Sequence, residues 1–412
     1  MRFGLYEHTL IVKDKLITRY FVVLKENKDI VAWTDFHRYI KSQNGIKRIE
    51  STNKQRYLCI IKFLNYIFID NALLTNITEL NVDVIKQFLN DYGLKRLKGD
   101  DDFTHRGSST VTSGVKYLID FVDTLNQIGV IEISTNDFYK NTSKFSAKRR
   151  KMINTKVPVF DVYYEEETKK IFRDITEPAI RIIMHQIIIK HKSILMLSAL
   201  CLFAGLRPSE ACNVRREDSL LGPGIMFDIV DWKVKDARID LSKEVNLRSD
   251  FKSVGKIKRE RIQQVCPIFL NDFCECYEIY MKFIYGRKYE KEYGALSIDR
   301  NGRAMTYNAF LKEFKKVIEE VIPIFLASDD PKLVLYGQKL QQNSISPHIL
   351  RHYFSAKLTI LGASAAELMS YRGDKSPESV LTYIQNKSEL VNQLEMVSGK
   401  VFEFNLWKTE KI

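Results

Sequence analysis

The chain has 412 residues, too long for one small hydrophobic core, so two or more domains are expected. Its 64 Lys and Arg outnumber 51 Asp and Glu, a formal charge of +13, which favours a polyanionic partner such as nucleic acid and leaves a basic membrane-surface protein open. No stretch approaches about 18 uncharged apolar residues, and the start MRFGLYEHTLIVKDK lacks the apolar core of a signal peptide, so a soluble cytoplasmic protein, nucleoid-associated in a prokaryote, is expected with no membrane partner.

Residues 1–45 hold alternating apolar stretches such as TRYFVVLKE, read as a short hairpin or appendage of unassigned role. From about Thr52 the period becomes helical: NKQRYLCIIKFLNYIF puts Tyr57, Ile60, Ile61, Leu64, Ile67 and Phe68 on one apolar stripe. NVDVIKQFLNDYG predicts a second helix, with Asn81 or Asp83 near its start and Gly93 near its end. STVTSGVKYLIDFVDTLNQIG predicts a longer third one closed by Gly129. Together 46–139 reads as an all-helical domain. The next stretch, KNTSKFSAKRRKMINTK, carries seven Lys or Arg, no acid and little apolar periodicity. It reads as a basic linker over 140–158, either merely solvated or touching a polyanion through Lys148, Arg149, Arg150 and Lys151.

The remainder to about 390 is mixed. Helices are expected around YEEETKKIFRDI and MHQIIIKHKSILMLSALCLFAG, with strands within 225–270. In LCLFAGLRPSEACNVRRED, Gly205 ends one helix and Pro208 begins another with Glu210 in its first turn, which holds Arg207 at the corner. An arginine there can cap the preceding carbonyls, and an acid in a first turn has its own structural use. The six cysteines are scattered, and the close pair Cys274 and Cys276 lacks companions at zinc-site spacing, so buried free thiols and no metal are expected.

In SPHILRHYFSAK, Ser346 can cap a helix and Pro347 suits its first position. His348, Arg351 and His352 then share one face, opposite Ile349, Leu350, Tyr353, Phe354 and Leu358. In MSYRGDKSPESVLTYIQ, Gly373 is a stop, Ser376 a cap and Pro377 a first helical residue, so Tyr383 falls near the second turn of a short helix. The tail 391–412 has apolar residues that suit packing on a neighbouring protomer or back on the same chain.

Taken together, AGLRPSE, HILRHYFSA and a tyrosine thirty-two residues after Arg351 resemble the catalytic segments of the tyrosine recombinase (phage integrase) family. There the boxes look like T-G-L-R-x-S-E, H-x-L-R-H and L-G-H-x-S followed by T-x-x-Y. The resemblance covers roughly residues 50–390 and implies a mainly α fold with a small β-sheet. A helical, SAM-like core-binding domain would precede an α-rich mixed catalytic domain over 159–390.

That resemblance implies metal-free, cofactor-free cleavage of double-stranded DNA, with several protomers assembled in synapsis and a mobile element as the setting. Tyr383 would attack the scissile phosphate to form a 3′-phosphotyrosine. Arg207 and Arg351 would hold the phosphate oxygens, because guanidinium offers a planar, permanently charged fork. His348 would hydrogen-bond the phosphate or shuttle a proton. Glu210 would orient the first box, and His352 matches the second histidine of the H-x-L-R-H box.

A lysine on a β-hairpin supplies the leaving-group proton in the family, and VGKIKRERI resembles its G-K-G-x-K-E-R turn, which selects Lys256 while leaving Lys252 and Lys258 open. Where the family carries histidine or tryptophan after L-G, this chain has Asp374. A carboxylate there repels a phosphate unless it is paired, and repulsion is the favoured expectation. A DNA-binding regulator with a degenerate site, a type IB topoisomerase and a telomere resolvase remain as alternatives.

Overall fold

A computed structural model describes residues 1–12, 15–40, 54–100, 105–133, 138–146, 151–158, 162, 175–343, 345–374 and 380. The chain divides into two compact units near Lys170. The described structure is about half helical, with three small sheets.

The first unit opens with a sheet in the order β1 (Arg2–Val12), β2 (Lys15–Glu26), β3 (Asp29–Trp33), followed by the single-turn α1 (Phe36–Tyr39). β2 and β3 are antiparallel, with Val23 opposite Trp33. Alternation turns Tyr20 and Val22 inward, into the same core as α2 (Lys54–Asn65), α3 (Val82–Gly93) and α4 (Ser108–Gln127). Polar staples hold the sheet there. Asn65 of α2 accepts from the Phe3 amide at 2.9 Å and donates to the Phe3 carbonyl at 2.9 Å, while Arg2 grips Asp70 through two bonds of 2.7 and 2.8 Å. The stretch read as a hairpin or appendage therefore packs, through residues such as Phe3, Leu5, Tyr20, Val22 and Ile40, into this unit's core. The reason is that β1 and β2 each have one apolar face, and such a face must be covered.

The three helices form where periodicity placed them. Tyr57, Ile60, Ile61, Leu64 and Ile67 are buried along α2 and the π-turn that extends it. Asn81 caps α3, accepting from the amides of Asp83 and Val84, both at 3.1 Å. α4 stops before Gly129, which takes φ +72°.

The stretch read as a linker contains an antiparallel ribbon, β4 (Tyr139–Ser146) paired with β5 (Lys151–Pro158) from Tyr139 opposite Pro158 to Ser146 opposite Lys151. A two-stranded ribbon satisfies its backbone by pairing and needs no alternating apolar face, so nothing in the hydrophobic pattern announces it. Lys148, Arg149 and Arg150 lie outside the described residues, as does the helix expected around YEEETKKIFRDI. Lys151 begins β5.

The second unit is built round a helix that is apolar on all sides. α5 (Glu177–Lys190) leads through a 116° bend into α6 (Leu195–Phe203), every residue of which is buried. No single helix among the described residues is long and apolar enough to cross a membrane. α6 leads to the short α7 (Pro208–Ala211) and a meander, β6 (Ile225–Val230), β7 (Lys233–Leu241) and β8 (Arg261–Gln264), with Ile239 opposite both Ile225 and Gln263. Ile225, Ala237, Ile239 and Leu241 turn into the core.

α8 (Leu270–Ile284), α9 (Tyr307–Leu326), α10 (Pro331–Gln342), α11 (His348–Ile360) and α12 (Ala365–Arg372) complete the unit. α6 packs against both α8 and α11. All six cysteines are free thiols and five are buried.

One close approach sets the α6–α11 packing. Gly205 takes φ +63°, and a Cβ there would lie 2.5 Å from the Phe354 ring of α11. Gly205→Ala therefore costs left-handed strain and overpacking, about 2–4 kcal/mol in total, read as a lower midpoint in urea unfolding. An unchanged midpoint would show that Phe354 yields without cost.

Candidate active site

Four turns bring the site together. At the end of α6, the αL conformation of Gly205 lets the Leu206 amide bond back to the Leu200 carbonyl at 3.1 Å, which turns the chain sharply. Arg207 follows with extended backbone (φ −70°, ψ 144°), as the residue before Pro208 must, and is thrown clear of both helices. α11 begins at His348, one residue later than the Pro347 start expected from the sequence, with the Ile349 amide bonded to the Ser346 carbonyl at 2.9 Å. α12 ends in Gly373 at φ +61°, and the Asp374 amide bonds back to Met369 at 3.1 Å.

Arg351, on the first turn of α11, reaches into the gap between those glycine turns. Its Nη1 donates to the Gly205 carbonyl and its Nη2 to the Arg372 carbonyl at 2.8 Å and to Asp374 Oδ1 at 3.2 Å. It is Arg351, not Arg207, that satisfies the orphan carbonyl at the end of α6. Burial first, then the charges of Arg372 and Arg207, push its guanidinium down to about 9, still charged at neutral pH.

Arg207 donates through Nη2 to Asp374 Oδ1 and through Nη1 to Glu210 Oε1 at 3.1 Å. Its side chain keeps 15% of its surface exposed against 4% for Arg351, so Arg207 forms the open edge of the cluster.

Glu210 is fully buried, which is costly for a carboxylate unless every lone pair is used. It accepts from the Arg207 amide at 3.2 Å, the Lys258 amide at 3.2 Å, and Arg261 Nη1 and Nη2 at 3.3 and 3.0 Å. Burial alone would raise its pKa, but Arg261 and Arg207 outweigh that and hold it below the usual carboxylate range. Glu210 thus fastens the corner to the β7–β8 connection.

His348 is partly buried. Burial, then the charges of Arg351, Arg207 and Arg372, lower its pKa, so at neutral pH the ring is uncharged and has one donor and one acceptor nitrogen. His352 lies one turn along the same helix, partly exposed.

Lys256 sits in the non-strand connection between β7 and β8, not on a strand of a tight hairpin. That connection lies flat on α7: Ser209 Oγ donates to the Lys256 carbonyl at 3.1 Å, and a Cβ on Gly255 would collide with the Ser209 carbonyl. Lys256 and Lys258 are both exposed beside Arg207's helix, whereas Lys252 is drawn to Asp250 at 3.7 Å.

Asp374 is paired with arginines, the exception the sequence reading left open. Its carboxylate is not left facing an empty phosphate seat. Oδ2 accepts from Arg372 Nε at 2.7 Å, and Oδ1 is shared between Arg351 and Arg207. Burial raises its pKa, but Arg372 first, then Arg351 and Arg207, more than reverse that and keep it ionised. The carboxylate is thus held within the local network of arginines.

No protein-family model matches the sequence, and a search of curated proteins gives no match. Solved structures do match. The Tn1549 transposon integrase in complex with circular intermediate DNA superposes with a TM-score of 0.50 at 16% identity, over 88% of this chain and 98% of that one. A Tyr-to-Phe variant of that integrase in complex with transposon right end DNA gives 0.51 at 16% identity, over the same 88% and 98%. The fold is that of the tyrosine-recombinase integrases. At this identity the likeness concerns the fold, and the side chains must be judged from this chain's own geometry.

Within that integrase fold, the structure brings together Arg207, Glu210, His348, Arg351 and Asp374 from the expected set. Tyr383 lies outside the described residues, as do Lys375, Ser376, Pro377 and the tail 391–412; Val380, three residues before Tyr383, is buried in the second unit's core.

Two participants were missed in the sequence reading, Arg372 and the role of Arg261. Arg372 had a visible signal: it stands where the resembled L-G-H box has leucine, so two of the three positions of that box are charged here. Arg261 stands in VGKIKRERI at the arginine of the resembled G-K-G-x-K-E-R pattern, but only folding brings Gly373 so close that a Cβ there would lie 2.5 Å from its Cζ.

Proposed function

We propose that this chain is a site-specific DNA recombinase, an integrase of a mobile element, which cuts and rejoins double-stranded DNA through a 3′-phosphotyrosine on Tyr383. The observation that carries the reading is the meeting of Arg207 and Arg351, from segments far apart in sequence, at one carboxylate oxygen of Asp374. Two guanidinium groups converging on one oxygen atom form an anion seat, with Arg207 at its accessible edge.

In the proposed reaction the phenol of Tyr383 gives its proton to His348 or to water as its oxygen attacks the scissile phosphorus, the P–O5′ bond breaks, and the 5′-oxygen takes a proton. Lys256 or Lys258 supplies that proton, and His348, uncharged at neutral pH, hydrogen-bonds or relays protons at the phosphate. The 5′-hydroxyl of a partner strand then attacks the phosphotyrosine and frees the enzyme. Ester bonds are exchanged one for one, so no nucleotide hydrolysis is required. Synapsis of several protomers supplies the partner strand.

The deciding experiment offers the full chain a pool of nicked duplexes of randomised sequence, in which the cut strand loses its short downstream piece and the enzyme is trapped. A denaturation-resistant adduct whose DNA maps to Tyr383 supports the reading. Absence of any adduct, with duplex binding intact, favours a DNA-binding regulator, a reading to which the filling of the arginine seat by Asp374 lends weight. Strand joining between two selected sites, against relaxation of supercoils, separates a recombinase from a topoisomerase or resolvase.

In the same reading the basic run tracks phosphates. Replacing Lys148, Arg149, Arg150 and Lys151 by Ala weakens binding to all duplexes alike and lowers the salt slope by up to about 0.9 units per lost phosphate contact. Titrations between about 50 and 200 mM salt measure it, and an unchanged slope makes the run a bystander.

A further inference from the structure

We propose that Arg372 and Asp374 work as one positioning unit, in which Asp374 aims the guanidinium groups of Arg207 and Arg351 and Arg372 holds that carboxylate in place. The inference rests on the recombinase reading for its chemistry and on the geometry of the cluster for its parts.

Arg372 reaches Arg351 by three routes. Its own carbonyl accepts from Arg351 Nη2 at 2.8 Å, and its Nε holds Asp374, whose other oxygen receives Arg351. Its Nη1 donates to Ser355 Oγ, and that hydroxyl donates at 2.9 Å to the Arg351 carbonyl one turn back on α11. Asp374 is also fixed from the backbone side. Gly373 takes φ +61°, where a side chain is strained, and lies against the Arg261 guanidinium, and the turn it makes presents the carboxylate to the arginines.

Charge counting explains why the two belong together. Joined side chain to side chain, the cluster holds Arg207, Arg261, Arg351 and Arg372 against Glu210 and Asp374, a formal 4 − 2 = +2, with Arg259 bonded instead to the backbone carbonyl of Asp374. Without Arg372 and Asp374 it holds three arginines and one glutamate, 3 − 1 = +2 again. The pair therefore leaves the charge offered to a phosphodiester unchanged, whereas loss of one member shifts it by a unit and takes an opposite charge from the other in a buried site. Without Asp374, Arg207 and Arg351 lose their common acceptor. Without Arg372, the carboxylate leans more on the two arginines a phosphate needs, and competes with it.

The test is a double-mutant cycle on the full chain: Arg372→Leu, Asp374→His, both together, and the parent. Arg372→Lys and Asp374→Asn serve as milder singles in case the first pair unfolds. Two readouts are taken. One is the single-turnover cleavage plateau on a nicked duplex selected by the parent, with DNA affinity measured beside it. The other is the rise of the melting temperature with inorganic phosphate, without DNA.

Each single variant is expected to lose about a hundredfold in plateau rate at unchanged DNA affinity, and the double to return to within about tenfold of the parent. Phosphate is expected to stabilise the parent and the double variant more than either single. Singles as fast as the parent, or a double whose losses simply multiply in both readouts, overturn the pair. A parent that forms no adduct while the phosphate readout stays coupled overturns the recombinase reading and supports the pair.

Discussion

Tyr383→Phe is expected to bind duplex DNA as the parent does and to form no covalent adduct. The substitution removes one oxygen and little packing surface, so binding, which depends on the basic surface and the arginine cluster, is expected to persist. In the proposed reaction the nucleophile has no substitute: without the phenol oxygen nothing at that position can bond to phosphorus. Loss of a nucleophile in a hydrolytic enzyme costs on the order of 10⁴-fold or more, and here it takes adduct formation below detection. The check is denaturing electrophoresis of trapped complexes beside a binding titration. An adduct that survives in Tyr383→Phe and disappears in another tyrosine variant would place the nucleophile elsewhere.

The second large effect is expected from Arg351→Lys and Arg207→Lys, which keep the charge and lose the fork. A lysine has one nitrogen on a flexible stem, whereas Arg351 bonds at once to the Gly205 carbonyl, the Arg372 carbonyl and Asp374. Each variant is expected to lose roughly 10²–10³ in single-turnover cleavage, the usual scale for removing a preorganised donor from a developing oxyanion.

The two should differ in stability. Arg351→Lys strands two buried carbonyls, at about 1–3 kcal/mol each, so its denaturant midpoint falls with its activity. Arg207 is more exposed, and its main acceptors, Glu210 and Asp374, keep Arg261 and Arg372, so Arg207→Lys should lose cleavage with a much smaller shift in midpoint. Near-parental cleavage by either variant would remove it from the phosphate seat.

Much of this was legible from the chain alone, because it depends on neighbours in sequence. Gly205 before Arg207, Pro208 after it and Gly373 after Arg372 dictate two sharp helix ends through φ/ψ limits that act over three or four residues. The structure has both. The stripe on α2 and the Asn81 cap are likewise local, and so is the shared helix of His348, Arg351 and His352. By itself, then, the sequence determined the helices, their stops and the order of the candidate residues.

Only the tertiary structure decided which charges meet. Strand pairing in β4–β5 and the docking of the N-terminal sheet depend on partners that no hydrophobic period encodes. The fate of Asp374 depends on Arg372, Arg351 and Arg207 arriving from three separate turns. The sign of an aspartate's effect at an anion seat follows from the field there, and that field is a sum over groups brought within a few ångströms by folding, not by spacing along the chain.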